Sequence, residues 1–219
     1  MQQILMFLKF GKEKDLKDLI ENGTIYMNSL QLFRTIADEG LRGDSYEGVI
    51  EIINTPPGDF EIPSLGYKGK HQGMHLKKAH EEILGNIYCL YCISSHGWDK
   101  PEDFCMDQKI KGFGSHCVII KDNLKFLELI TQKLDSLTMK YDHGFIDYYD
   151  KYQINRKVTL FEKPLEFEFQ KEFRFYVERE STEPFKFSIG NIEDIAELVD
   201  CEGVVDTIAL VRNKDKSSI

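Results

Sequence analysis

Gln170 and Glu172 stand two residues apart in a stretch, Phe167 to Val177, where aromatic and polar residues alternate. Read as one uninterrupted strand, it predicts Phe167, Phe169, Phe173, Phe175 and Val177 on one face. Glu168, Gln170, Glu172, Arg174 and Tyr176 fall on the other. Gln170 and Glu172 then project side by side, roughly 7 Å apart. A carboxylate beside an amide, aimed into a cleft, can grip a sugar and orient its attacking group. The plainer reading is a solvent-exposed polar face on which Glu172 pairs with Arg174.

Other chemistries lack their signatures. The chain has no Walker-type phosphate loop, no GxGxxG after a strand, no HExxH and no GxSxG. Cys89 and Cys92 form a CxxC inside an apolar strand pattern, where period two sends them to opposite faces, as expected of structural thiols. Cys105, Cys117 and Cys201 are scattered, so no metal site is expected. Asp44 and Glu47 share a glycine-flanked loop with Arg42, where they either cap the next strand's turn or contact a ligand. Joined to Glu172, they define an alternative reading, a metal-dependent nuclease. His71, His75 and His80 lie among Lys68, Lys70, Lys77 and Lys78, either a solvated loop or a contact surface for anions or nucleic acid.

These residues sit in a chain of 219 with ordinary globular composition, 42% hydrophobic and 30% charged. Its length predicts one α+β domain over 1–212 and a charged tail over 213–219. The 28 Lys+Arg against 37 Asp+Glu give a net charge of -9, which argues against a non-specific nucleic-acid coat but not against one local basic patch. No stretch approaches the roughly 20 apolar residues of a membrane span, so no membrane partner is expected. The segment Met1 to Phe10 is short and interrupted by Lys9, unlike a secretory leader. With five cysteines, an odd number, it points to a reducing cytoplasm.

The elements expected to position the chemistry follow from periodicity. Helices are expected over Lys12–Asn22, near Leu30–Ile36, over Asn123–Leu137 with Asn123 at the cap, and over Ile192–Leu198. The third should bury Leu124, Leu127, Ile130, Leu134 and Leu137 on one face. Strands are expected over Thr24–Asn28, Val49–Ile53, Ile87–Ser95, Cys117–Ile120, Phe145–Tyr152, Phe167–Val177, Phe185–Ile189 and Val204–Val211. Gly40–Gly48 and Gly97–Gly114 read as loops, and Asp59–Gly85 as a long surface loop leading into a helix near Leu76–Leu84. Seven or eight strands that do not alternate with helices predict an α+β fold, mostly antiparallel.

Three blocks carry a resemblance. They are Phe7-Leu8-Lys9-Phe10-Gly11 with Gly23-Thr24-Ile25-Tyr26-Met27-Asn28-Ser29, then Phe33-Arg34 with Arg42-Gly43-Asp44 and Glu47-Gly48, and finally Phe169-Gln170-Lys171-Glu172-Phe173-Arg174. In this order they resemble the bacterial and phage family called domain of unknown function 2971. That pattern is in turn similar to divergent ADP-ribosyltransferase folds, in which flanking helices support a split, mostly antiparallel sheet. The resemblance implies a protein that splits NAD between nicotinamide and ribose. Glu172 would be catalytic, Gln170 would orient the acceptor, and Tyr26 or Phe10 would stack on nicotinamide. Lys9 would pair with a pyrophosphate oxygen where the family usually has Arg or His. Gly11, Asn28 and Arg34 would complete the NAD contacts. Ser94 and Ser95 stand loosely in place of the family's Ser-Thr-Ser.

The expectation is therefore an NAD-dependent ADP-ribosyltransferase, a toxin or phage-defence effector. Its acceptor would be nucleic acid or protein, and a neutralising antitoxin protein would hold it in check. The competing expectation is a non-catalytic nucleotide- or partner-binding module on the same fold.

Overall fold

A computed structural model describes residues 3–36, 41–95 and 105–208. It is α+β, with strands that pair antiparallel except in one short parallel pair. The chain opens with β1 (Ile4–Gly11), α1 (Glu13–Asn22), β2 (Thr24–Ser29) and α2 (Leu30–Thr35). An arm follows, made of β3 (Val49–Thr55), β4 (Gly58–Ile62), β5 (Tyr67–His71) and β6 (Met74–Ala79). Next come β7 (Asn86–Ser94), β8 (His116–Ile120), α3 (Asn123–Ser136), β9 (Tyr141–Phe145), β10 (Asp147–Tyr149), β11 (Arg156–Lys157) and β12 (Glu162–Pro164). The chain then forms β13 (Glu172–Val177), β14 (Phe185–Ser188), β15 (Ala196–Asp200) and α4 (Cys201–Thr207).

The main sheet runs β14-β2-β7-β1-β8-β15, with β13 and then β9 added beside β7. The apolar run of β7 is buried along nearly its whole length, as a central strand requires. Its neighbour β1 sends Phe7 into one core, with Leu16, Leu19, Phe126 and Ile130, and Leu8 into the other, with Tyr91, Cys117 and Cys201. This is the period-two alternation of a strand buried on both faces.

One edge of β7 is forked. β13 takes one edge from Tyr91 to Asn86. The opposite edge is shared: β1 pairs Leu8 with Tyr91, and β2 pairs Asn28 with Ile87. Tyr88, Cys89 and Leu90 therefore face a gap between β1 and β2. The turn leading into β2 depends on Gly23, at φ 61°, whose added Cβ would fall 1.9 Å from the Gly190 carbonyl oxygen. Only glycine suits both the left-handed conformation and that approach.

Several expectations are corrected. Residues 59–85 contain most of β4, all of β5 and β6 and a single 3-10 turn at Pro63–Leu65, and the expected helix near Leu76–Leu84 is replaced in its first residues by β6. In the β4–β5 hairpin, Phe60, Ile62 and Tyr67 alternate with the cross-strand partners Asp59 and Lys70, Glu61 and Lys68. Such charged, exposed strands resemble loop in composition. The helix-like spacing at Ile192–Leu198 belongs partly to β15, which pairs with β8. In the described part of the expected last strand stands α4, because the Asp200 side chain accepts the Gly203 N–H as a helix cap; 209–211 lie outside the described residues. The stretch expected over Phe145–Tyr152 divides into the end of β9 and all of β10. Within Gly97–Gly114, a 3-10 helix spans Gln108–Phe113, and 96–104 lie outside the described residues, as does the tail over 213–219. In α3 the cap is Asp122, while Asn123 accepts the Phe7 N–H through its side chain. Leu124 is 74% exposed, and the buried face is Phe126, Ile130 and Leu134. No described helix is long and apolar enough to cross a membrane.

Candidate functional site

The expected strand Phe167–Val177 is broken at the two residues of interest. Leu165–Gln170 is a 3-10 helix, and Lys171 takes the left-handed conformation at φ 38°. β13 begins only at Glu172. The short helix lets Phe167 into the interior, and Lys171 locks the reversal by giving its carbonyl to the Cys92 N–H at 2.8 Å. The polar face expected to meet solvent is buried, with Gln170 at 8%, Glu172 at 4% and Arg174 at 0% exposure. Gln170 and Glu172 nevertheless converge, through a residue the pattern did not flag. Lys163 of β12 donates to Gln170 Oε1 at 2.9 Å and to Glu172 Oε2 at 2.6 Å.

Burial alone would expel these charges, so each is paired. Arg174 Nε donates to Glu172 Oε1 at 2.7 Å, which is the ion pair of the plainer sequence reading. The two Arg174 terminal nitrogens hold both Glu47 oxygens, at 2.7 and 3.0 Å, and one also reaches the Leu160 carbonyl. Gln170 Nε2 donates to the Leu41 carbonyl at 2.8 Å. Burial works to raise the Glu172 pKa, but Arg174 and Lys163 outweigh it and hold the carboxyl well below the usual carboxylate range. Burial likewise opposes the Lys163 ammonium, and Glu172 more than compensates, leaving its pKa above the ordinary lysine value. Asp44 is different. Burial, then the nearby Glu47, pushes it up to about 6. Its carboxylate accepts the Tyr46 N–H at 2.7 Å, the turn-capping role.

Above this network the fork opens into a cavity of about 740 Å³. Gln170, Glu172 and Lys163 line it together with Lys9, Phe10, Gly11, Tyr26, Asn28, Tyr88 and Cys89. Lys9 Nζ spans the fork, donating to the Cys89 carbonyl at 2.7 Å and lying 4.2 Å over the Tyr88 ring. Burial lowers the Lys9 pKa. Burial also pushes the Cys89 thiol up to about 12, so it stays un-ionised. Tyr26 projects from β2, 49% exposed. The Tyr88 hydroxyl is buried with no hydrogen-bond partner among the described residues. Lys12, Lys14, Arg42 and Lys186 add positive charge, against Asp15 and Asp18. The lining therefore favours an anionic ligand carrying flat rings.

Three expected contacts lie elsewhere. Arg34 ties α2 to the Glu47, His80 and Glu81 carbonyls and is absent from the cavity lining. Ser94 sits at the far end of β7, opposite Ile4, and the Ser95 hydroxyl accepts the Gln3 N–H. Two of the three carboxylates of the nuclease reading, Glu47 and Glu172, are already bridged by the Arg174 guanidinium, and the third, Asp44, caps the turn at Tyr46. The two CxxC cysteines part as expected, Cys89 beside the cavity and Cys92 in the core behind it. Comparison of the chain with protein-family models, curated proteins and solved structures gives no match.

Proposed function

We propose that the fork between β1 and β2 is the split sheet of an ADP-ribosyltransferase-like fold and that its cavity binds NAD. The observation that carries this reading is the placement of Glu172 in a cavity whose walls bear Lys9, Tyr26 and Asn28. Its volume lies within the roughly 300–1,000 Å³ of small-molecule sites. The basic lining suits a pyrophosphate and the Tyr26 face suits a flat cationic ring; the partnerless Tyr88 hydroxyl is closed to solvent, and a ligand oxygen would satisfy it only by displacing its cover. The resemblance to the domain of unknown function 2971 family points the same way.

In the proposed reaction the bond between ribose and nicotinamide breaks, and nicotinamide leaves with the electron pair. The acceptor's nucleophile bonds to the ribose carbon and releases its proton to solvent. Glu172 stays ionised throughout and opposes the positive charge on the ring. Gln170, with one N–H committed to Leu41, keeps the other for the acceptor. Lys9 and Arg42 hold the phosphates. On this reading the protein is a toxin or defence effector acting on nucleic acid or protein and neutralised by a partner protein.

A specific observation favours a second reading, a non-catalytic nucleotide-binding module. Both Glu172 oxygens already accept charged donors, which blunts their field. Purified protein incubated with NAD separates the two. Nicotinamide release that disappears in Glu172→Gln supports the transferase, and saturable NAD binding without release supports the module. Since Glu172 is part of a buried ion network, Tyr26→Ala is the companion variant that leaves the network whole.

A further inference from the structure

We infer that a second surface, on the sheet formed by β11, β3 and β6, binds single-stranded nucleic acid through an aromatic platform edged by lysines. Asn54 and His75 face each other in the β3–β6 register. Asn54 Nδ2 donates to the Lys151 and Ile154 carbonyls at 2.9 and 2.7 Å, which leaves its Oδ1 as acceptor. His75 Nδ1 lies 2.6 Å from that oxygen and so carries the proton. His75 Nε2 is then the acceptor for the Tyr46 hydroxyl, also at 2.6 Å. This chain of bonds fixes two rings whose centroids are 5.8 Å apart. Tyr152 extends the row, 5.1 Å from His75 and 64% exposed.

Two ammoniums lie over these rings: Lys77 Nζ is 4.6 Å and Lys151 Nζ 4.9 Å from the Tyr46 centroid, and Lys151 also lies 5.4 Å over Tyr152. Tyr152, the most exposed ring of the row, therefore supplies the stacking surface. Lys151 is paired with Glu166, but Lys77 donates to the Ser45 carbonyl and forms no salt bridge among the described residues. An exposed ring face takes any unstacked base, and an ammonium beside it takes the following phosphate. A duplex hides those base faces, and an acidic peptide would use the lysines but not the rings. The charge of -9 on the whole chain is screened beyond about 8 Å at physiological salt, so contact is local and strongly salt-dependent. The platform does not line the cavity, and the inference is independent of the NAD reading.

The test is fluorescence anisotropy on the full chain without NAD, using labelled oligothymidylate and oligouridylate of roughly 12 nucleotides at low salt. Saturable binding is expected. Tyr152→Ala should weaken it about tenfold by removing one stacking face. Lys77→Gln should weaken it and reduce the salt slope by about 0.7, the loss of one phosphate contact. Lys140→Gln, the same charge change at an exposed position elsewhere, should leave it unchanged. The inference is overturned by an absence of binding, by wild-type affinity in both platform variants, by a duplex that binds as well as the single strand, or by a polyglutamate peptide that competes equally.

Discussion

Lys163 and Glu172 belong to strands that do not pair with each other, yet their ammonium and carboxylate meet at 2.6 Å with 6% and 4% of the side chains exposed. The contact joins β12 to the first residue of β13 and draws Gln170 into the same cluster. It positions the carboxylate and at the same time spends part of its charge. The cavity's chemistry depends on how much of that charge remains.

Lys163→Gln should destabilise the protein by about 1.5–3 kcal/mol, the worth of hydrogen bonds to a charged group. A carboxyl with a depressed pKa contributes stability above the ordinary carboxylate value, and that stability is lost as pH falls through the folded-state pKa. Arg174 and Lys163 together depress Glu172. Without Lys163 the depression shrinks, so acid unfolding should begin at higher pH. Circular dichroism across an acid titration would show it, and an unchanged midpoint would refute the pairing.

Arg174→Met is expected to cost more, about 3–5 kcal/mol, because it strands the buried Glu47 carboxylate and leaves Glu172 with Lys163 alone. Urea denaturation of the two variants under one condition gives the ranking. A smaller loss for Arg174→Met than for Lys163→Gln would mean that the guanidinium is not the keystone of the network.

In the main sheet β7, β8, β2 and β14 were legible because they announce themselves by apolar, β-branched or aromatic runs, whereas β1 and β15 were not among the expected strands. In the arm β3 was legible from the β-branched run that buries Val49 and Ile52, but β4, β5 and β6 were not, since they carry lysines and glycines and are largely exposed. Gln170 and Glu172 were found for a partly mistaken reason. Alternation placed them on one strand, whereas a left-handed Lys171 and a buried lysine bring them together. Nothing local marks Lys163, whose role depends on a contact between strands that are not paired. Over 204–207 a helix replaces the expected strand because an Asp200 cap and burial of Val204 and Val205 outweigh β-propensity.

Asp44 makes the opposite pH prediction from Glu172. Its folded-state pKa is raised to about 6, above the roughly 3.9 of an unfolded chain. The stability it contributes is complete below the unfolded value and is lost as pH rises to the folded one. Between about pH 4 and 6 this costs about 3 kcal/mol. Asp44→Asn keeps an oxygen for the Tyr46 N–H and removes the charge. The variant should melt higher than the parent at pH 7 and equally at pH 4. A parent whose melting temperature is flat across that window would contradict the burial of an ionising Asp44.

Tyr88→Phe separates a structural from a ligand-directed role for the cavity. The Tyr88 hydroxyl is buried without a partner, a condition that costs about 1–3 kcal/mol. Removing it should stabilise the unliganded protein while leaving the ring beneath Lys9. If the hydroxyl serves a ligand oxygen, the same change should weaken NAD binding about tenfold, the worth of one hydrogen bond of ~1.4 kcal/mol. Calorimetric titration and thermal melting of one preparation give both numbers. A variant that melts higher and binds NAD as the parent does would leave the hydroxyl without a role in the cavity, and one that melts lower would mean the hydroxyl is satisfied in solution.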